Sequence, residues 1–466
     1  MTHKKYSPGR IRICLLFAVA LALSIPASAE WKEKVLYSFQ GGTNDGSVPI
    51  GSLVFDKQGN IYGALEFYGP GSCAPQGNAC GAVYQLTPPA QKGGAWKETL
   101  IYEFQGKGAN DGELPAGGLL IDAGGNLYGV TAYGGTGNCT LLGVAAGCGT
   151  VFELSPPKQK GGAWTETILY SFPTMKQGYF PGGSVVFDKA GNLYGATSFG
   201  GTKGTTCDPY YGGQCGVVFE ISPPKQKGGA WTQKVLHNFP GTASGKQDGD
   251  GAEPNGGLVL DSKGTIYGTS YYGGIGTGSC GSVGCGTVFS LSPPVKQGEA
   301  WRESVIHRFD PANSYEAWPM DGLILNKSGY LFGTTHKDTV FRLAPTSEHP
   351  DQWKETILYS YKGSGPFYDL DAPVIFDARG DLYTTAYAGS GGSIDGNVFE
   401  LRPPTGKQRA WTIDVLYSFA DSPDGAYPAA GLIFDKAGNL YSTTQDGGTG
   451  TNCSFYGCGT VFEVSP

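Results

Sequence analysis

Seven of the eight tryptophans in this 466-residue chain stand at one position of a repeat: Trp31, Trp96, Trp164, Trp231, Trp301, Trp353 and Trp411, spaced 52–70 residues apart. Seven similar units in tandem restrict the fold to architectures that stack such units. The third repeat shows the pattern. WTETILYSF (164–172) is strand-like; GSVVFD (183–188) and LYGATSF (193–199) flank a tight KAGN turn; GVVFEIS (216–222) follows a loop with Gly and Cys; PPKQKGGA leads to the next Trp. These are four short β-rich runs bounded by Gly, Pro, Asn or Asp, without helical periodicity. A β-helix has coils too short for four strands, and seven separate domains of ~60 residues would each have a marginal core. The pattern predicts an all-β, seven-bladed β-propeller of four-stranded blades. Blades packed on both faces account for near-continuous apolar runs such as SLVFD (52–56) and GLIFD (431–435).

The phase follows from the turns. GLxFD-turn-NLYG is a tight hairpin and suits the inner pair of strands, TVFEL the third and W..ILYSF the outermost. The chain then opens with an outer strand at 31–39 and ends with a third strand at 459–464. The N-terminal strand is expected to complete the last blade and remove an open sheet edge. The recurrent Trp is read as inter-blade packing. Asp56, Asp122, Asp188, Asp261, Asp377 and Asp435, with Asn326 in the fifth repeat, precede a Gly as D-x-x-G. Such side chains bond their own backbone and fix hairpins, so they are read as turn residues and not as catalytic carboxylates.

Residues 1–29 read as a signal peptide: a basic n-region (Lys4, Lys5, Arg10, Arg12), an apolar run from Ile13 to Ile25, and Ala27-Ser28-Ala29 before Glu30. The expected mature chain, 30–466, forms one propeller domain. Without the four basic residues of the leader, 29 Lys and Arg face 40 Asp and Glu, a balance of −11. That balance argues against nucleic acid or anionic membrane as partners, and no later stretch is a membrane span. A monomer is expected. Glycine is abundant, at 77 residues, yet aromatics reach 12%, which disordered Gly-rich chains lack.

Past the leader, ten cysteines fall in five pairs: Cys73/Cys80, Cys139/Cys148, Cys207/Cys215, Cys280/Cys285 and Cys453/Cys458. Repeats five and six have none. Even, local pairing in a secreted chain predicts five disulfides between second and third strands. Each is worth roughly 2–3 kcal/mol in the chain-entropy account. Zinc is disfavoured, because His237, His307, His336 and His349 are scattered and zinc wants four ligands.

The paragraph W-x-x-x-x-L-Y-S-F … D-G-x-x-P-x-G-G-L-x-x-D-x-x-G-N-L-Y-G-x-T-x-x-G-G … C-G-T-V-F-E-L resembles the GloVer-type choice-of-anchor tandem-repeat family of bacterial extracellular proteins. The likeness spans residues 31–466; DKAGNLY (188–194, 435–441) and CGTVFEL (148–154) are nearly verbatim repeat text. The resemblance implies an extracellular propeller and supplies no biochemical activity. No anchoring tail is read here, so a soluble form, periplasmic or extracellular, is expected.

Loops after strands two and four share one face, and they are the long, variable, Cys-bearing ones. Variable loops on a rigid scaffold carry function, so the site is expected there. Repeats one to four end their second strand in Phe67, Tyr133, Phe199 and Tyr272, whereas the later ones present Lys337, Ala388 and Asp446. Repeats five and six lose the Cys loop and gain Tyr315, Glu316 and Trp318, then Phe367, Tyr368, Asp369 and Asp371. With His336 and Asp446 these form a candidate notch: aromatic faces and acidic acceptors suit sugar rings. Filling of the space left by missing loops is the plainer alternative. A second candidate is calcium at Asp248, Asp250 and Glu253, where clustered carboxylates supply oxygen ligands; no other cofactor is implied. The Ser-x-Asp-x-Gly-x-Thr-Trp box of sialidases is absent, and a faint likeness of VFEL…GGAW to quinone-dehydrogenase repeats concerns packing. The leading expectation is a binding propeller for a glycan or protein partner. A glycan hydrolase or lyase using carboxylates of blades five to seven, and a structural envelope protein, are the alternatives.

Overall fold

The inner strand of each blade ends in the D-x-x-G turn, N-x-x-G in blade five, whose physics repeats around the ring. In the computed structural model, Asp56 Oδ1 accepts hydrogen bonds from the N–H of Gln58 and Asn60, and Oδ2 from Asn60 Nδ2 and the Tyr62 hydroxyl, at 2.7–3.1 Å. Asp122, Asp188 and Asp435 do the same, and Asn326 caps its turn through Ser328 and Tyr330 N–H. The structure describes residues 30–466 except 43–44, 69–72, 74–79, 142, 203–206, 208–212, 242–249, 276–277, 297, 310–316, 347–351, 361–366, 390–394 and 454–456; of 278, 279, 367, 368 and 389 the backbone alone is described.

Seven antiparallel blades follow, six of four strands and blade three of five, its inner strand being divided into Tyr179–Pro181 and Val186–Phe187. Blade one is Ser47–Phe55, Ile61–Phe67, Ala82–Thr87 and Lys97–Glu103 from the axis outward. Blade seven runs Ile433–Phe434, Leu440–Thr444, Thr460–Ser465 and then Lys32–Ser38. The N-terminal strand therefore closes the ring, pairing Lys32 with Ser465 and Ser38 with Thr460. The third strands, such as Thr150–Ser155, are buried almost throughout, whereas outer strands such as Thr165–Ser171 alternate exposed and half-buried. This is the signature of a sandwiched strand beside an edge strand. Every outer pair carries one register shift at the same place, as between Val151 and Phe152, which adds twist to each blade. In blade three a Cβ on Gly195 would lie 2.5 Å from Phe219 Cζ, so only glycine lets that ring fill the blade interior.

The repeated tryptophans are wedges between blades. Trp164 of blade two meets Tyr62 of blade one at 5.7 Å, Trp301 meets Tyr194 at 6.0 Å, and Trp353 meets Tyr267 at 5.8 Å. Trp31 of the closing strand meets Tyr383 of blade six at 6.4 Å. All five expected disulfides are present: Cys73–Cys80, Cys139–Cys148, Cys207–Cys215, Cys280–Cys285 and Cys453–Cys458. Among the described residues no helix is long and apolar enough to cross a membrane. Five disulfides fit an oxidising compartment outside the cytoplasm.

A carboxyl is buried at most blade junctions. Glu33, Glu98, Glu166 and Glu303, one residue into the outer strands, each face the loop aspartate of the preceding blade: Asp424, Asp45, Asp111 and Asp250. Burial, then the neighbouring aspartate, pushes Glu33 up to about 8 and the other three to about 7. Blade three carries Gln233 there, donating to Gln177 O.

Two outcomes follow. Removing residues 30–38 strips blade seven of its outer strand and bares Thr460–Ser465, so the melt of the whole chain, followed by circular dichroism, should fall as one transition; an unchanged melt would refute the closure. The raised glutamates keep their protons in the folded state and lose them in the unfolded chain above the ordinary glutamate range. Their stabilisation is therefore complete below about pH 4.5 and is lost as pH rises through 7–8. The melting temperature should fall between pH 5 and 8.5, and E98Q with E166Q should flatten that slope.

Candidate functional site

One left-handed residue per blade, followed by proline in every blade except the sixth, builds the face on which a site can form. Val48, Leu114, Phe180, Glu253, Trp318, Asp369 and Tyr427, one per blade, all hold left-handed backbone with φ between 52° and 61°. That conformation costs a non-glycine residue about 1–2 kcal/mol, and neighbouring blades hold it in place. The N–H of Val48, Leu114, Glu253 and Trp318 donates to the carbonyl of the second cysteine of the preceding blade, Cys458, Cys80, Cys215 and Cys285, at 2.8–3.1 Å. The Cys loops thus set the ring. Blade five has no Cys loop: a tight turn through His336–Asp338 joins Leu331–Thr335 to Thr339–Pro345, and the Asp338 carboxylate takes the N–H of Asp369 at 2.5 Å instead. Asp395 O does this for Tyr427 at 2.7 Å.

A second set faces this ring across the sheet. Trp318 O accepts from His336 N at 3.0 Å, Asp369 O from Tyr387 N at 2.9 Å, Glu253 O from Tyr271 N and Tyr427 O from Gln445 N, both at 3.1 Å. The face is consequently divided. Val48, Leu114 and Phe180 make it apolar over blades one to three, where Tyr133, Phe180 and Phe199 pack edge to face. Over blades four to seven it is aromatic and acidic.

In that sector Tyr271 stacks on Trp318 with centroids 6.2 Å apart, and Tyr387 stacks on Tyr427 at 4.9 Å. Trp318 Nε1 donates to Gly284 O, and Lys337 Nζ lies 4.9 Å above its ring. His336 packs beside Trp318 and pairs Nδ1 with Asp371 Oδ1 at 2.7 Å, with Asp369 Oδ1 3.8 Å from Nε2. The hydrogen bond to Asp371 raises the imidazole above its ordinary value, against the effect of burial. Burial pushes the Asp338 carboxyl up to about 6; it does the same at Asp446, aided there by the charge of Asp421.

Of the expected notch, Trp318, His336, Asp369 and Asp371 come together. Asp446 belongs to blade seven, close enough to Tyr387 for its charge to act on the phenol. Phe367–Tyr368 is a two-residue strand paired with Ala388–Gly389; Tyr315 lies outside the described residues. Tyr271, Asp338, Tyr387 and Tyr427 were not marked by the repeat comparison, because it aligned loop ends and not the pre-proline position. In the calcium trio, Asp248 lies outside the described residues. Asp250 pairs with His237 Nε2 at 3.1 Å and takes the Gly251 N–H, as Asp45 and Asp424 take Tyr37 and Tyr417 hydroxyls. It caps a loop, whereas Glu253 stands on the ring. Among the described residues no three acidic, imidazole or thiol groups converge as a metal would need. On the opposite face a wider depression of about 1050 Å³ is lined by Asp56, Trp96, Asp122 and Asp435. Those carboxylates are committed to their hairpins, which leaves it little chemistry.

The sequence pattern of the Gloeobacter/Verrucomicrobia repeat matches this chain over residues 25–276 and 139–365. No curated protein matches it. Among solved structures it is similar to an oxidoreductase described as a glucose dehydrogenase from Thermus thermophilus, with 14% identity, a TM-score of 0.38, and 93% of this chain and 100% of that one covered. It is also similar to Trypanosoma rangeli sialidase in complex with the inhibitor DANA, with 10% identity and a TM-score of 0.41, over 93% of this chain and 59% of that one.

Removing the Asp371 charge should let burial dominate at His336. In D371N the His336 imidazole, followed by NMR titration, should drop below its wild-type pKa; an unchanged value would mean that the pair does not exist in solution.

Proposed function

The chain belongs to the Gloeobacter/Verrucomicrobia repeat family, and we propose that this member is a secreted propeller that binds a glycan on blades four to seven of its Cys-loop face. One observation carries the reading: two stacked aromatic pairs, Tyr271 with Trp318 and Tyr387 with Tyr427, stand on the ring beside the His336–Asp369–Asp371 cluster. Sugar rings offer apolar faces to aromatic rings and hydroxyl edges to carboxylates. Lys337 over Trp318 is a flexible cap that a sugar ring displaces. Secretion rests on the leader-like residues 1–29 together with the five disulfides.

A second reading, a glycan hydrolase or lyase, draws on Asp338 and Asp446. Carboxyls raised to about 6 hold protons closer to neutrality than ordinary aspartates do, as a general acid requires. One experiment separates the two. The chain from residue 30 onward is applied to a glycan array while soluble sugar release is assayed. Binding without release is expected, with W318A and Y427A each weakening it about tenfold at an unchanged melt. Release of sugar would favour the hydrolase or lyase. Silence on both would reject the glycan in favour of a protein partner or a structural role.

A further inference from the structure

Lys337 stands among the acids of the aromatic sector. It follows the strand Leu331–Thr335 in the tight turn, and its ammonium lies 4.9 Å from the centroid of the Trp318 ring. A cation this close to an indole face is attracted by the ring's quadrupole. The same charge acts on the carboxylates of Asp338 and Asp369 and opposes the burial that raises both. His336 is the other cation: its bond to Asp371 favours the imidazolium, and Asp369 lies 3.8 Å away. Three carboxylates and two cations thus meet beside the Tyr271–Trp318 stack.

A sugar that takes the place of Lys337 on Trp318 disturbs this balance. With the ammonium gone, three carboxylates face one imidazolium in a half-buried site, and like charges so placed destabilise one another. A neutral sugar leaves the imbalance standing. A sugar with its own ammonium removes it, because the incoming charge replaces the outgoing one. The second aromatic pair has the same preference. Tyr387, stacked on Tyr427, feels the charges of Asp446, Asp371 and Asp369, and Asp446 feels that of Asp421. The charges that act most strongly there are all negative.

We propose that the glycan bound on blades four to seven carries free amino groups, as a run of de-N-acetylated hexosamines does, with one ammonium over Trp318 and another near Asp446. The inference rests on the glycan reading and names the sugar class. A hexosamine matches both parts of the site. Its C–H face covers an aromatic ring, and its ammonium forms charge-assisted bonds with carboxylates. N-acetylation removes that charge, and an acidic sugar meets repulsion. From residue 30 onward 29 Lys and Arg face 40 Asp and Glu, a field that draws a polycation in.

The test titrates the chain from residue 30 onward, by calorimetry at constant ionic strength, with three oligomers of equal length and linkage: glucosamine, N-acetylglucosamine and glucose. Oligolysine serves as a cation that is not a sugar. The glucosamine oligomer should bind at least about tenfold more tightly than the other three ligands, and added salt should weaken it. D369N and D446N should each weaken it about tenfold with wild-type circular dichroism, since asparagine accepts the left-handed backbone of Asp369. K337Q vacates the Trp318 ring and should tighten it about threefold; unchanged or weaker binding in K337Q would overturn the stand-in role of Lys337. Equal affinity for the acetylated or glucose oligomer, still lost in W318A, would overturn the amine and leave the glycan reading intact. Oligolysine bound as tightly as glucosamine would overturn it in favour of a basic peptide. Silence with all three sugars would also overturn it, and the glycan array then decides the broader reading separately.

Discussion

The ring exists because one aromatic contact is repeated between blades. Flat-sided sheets that twist do not pack radially by themselves; each needs a filler of fixed thickness toward its outer edge. Trp31, Trp164, Trp301 and Trp353 provide it against Tyr383, Tyr62, Tyr194 and Tyr267 of the preceding blades. The inner edge needs the opposite, and small residues such as Gly51 and Gly117 let neighbouring inner strands meet almost backbone to backbone. Wide outside and narrow inside, the blade becomes a sector. Closure by Lys32–Ser38 spreads that constraint over the whole circumference.

On this frame the left-handed ring residue of each blade connects architecture to chemistry. Its N–H binds the preceding blade and its carbonyl binds its own second strand, so its side chain is held in place whatever its identity. Identity is free to vary, and it does: Val48, Leu114 and Phe180 on one side, Glu253, Trp318, Asp369 and Tyr427 on the other. One geometry therefore offers an apolar wall and a polar, aromatic sector without change of backbone.

The sequence made the frame legible because repetition multiplies weak signals. Trp, D-x-x-G and TVFEL recur at fixed offsets, and the cysteines pair within single loops, so strand order, closure and disulfides all follow from spacing. The site was legible in part. Trp318, Asp369 and Asp371 stood out because blades five and six depart from the repeat. Tyr387 and Tyr427 did not, because a tyrosine among 27 carries no signal until the fold places it: Tyr427 by its positive φ, Tyr387 by its N–H bond to Asp369 O. Asp338 was hidden for another reason. It takes a job that elsewhere belongs to main chain, replacing a cysteine carbonyl.

The replacement at Asp338 distributes stiffness unevenly. In blades seven, one, three and four the anchoring carbonyl belongs to a disulfide-closed loop, at Cys458, Cys80, Cys215 and Cys285, and covalent bonds fix it at any acidity. Asp369 is anchored by an ionisable side chain. Protonating Asp338 near pH 6 turns a charge-assisted bond into a neutral one of about half the strength. The ring is thus a hoop with one compliant joint, located where its most polar side chains gather, and mild acid loosens that joint while the rest of the circle keeps its shape.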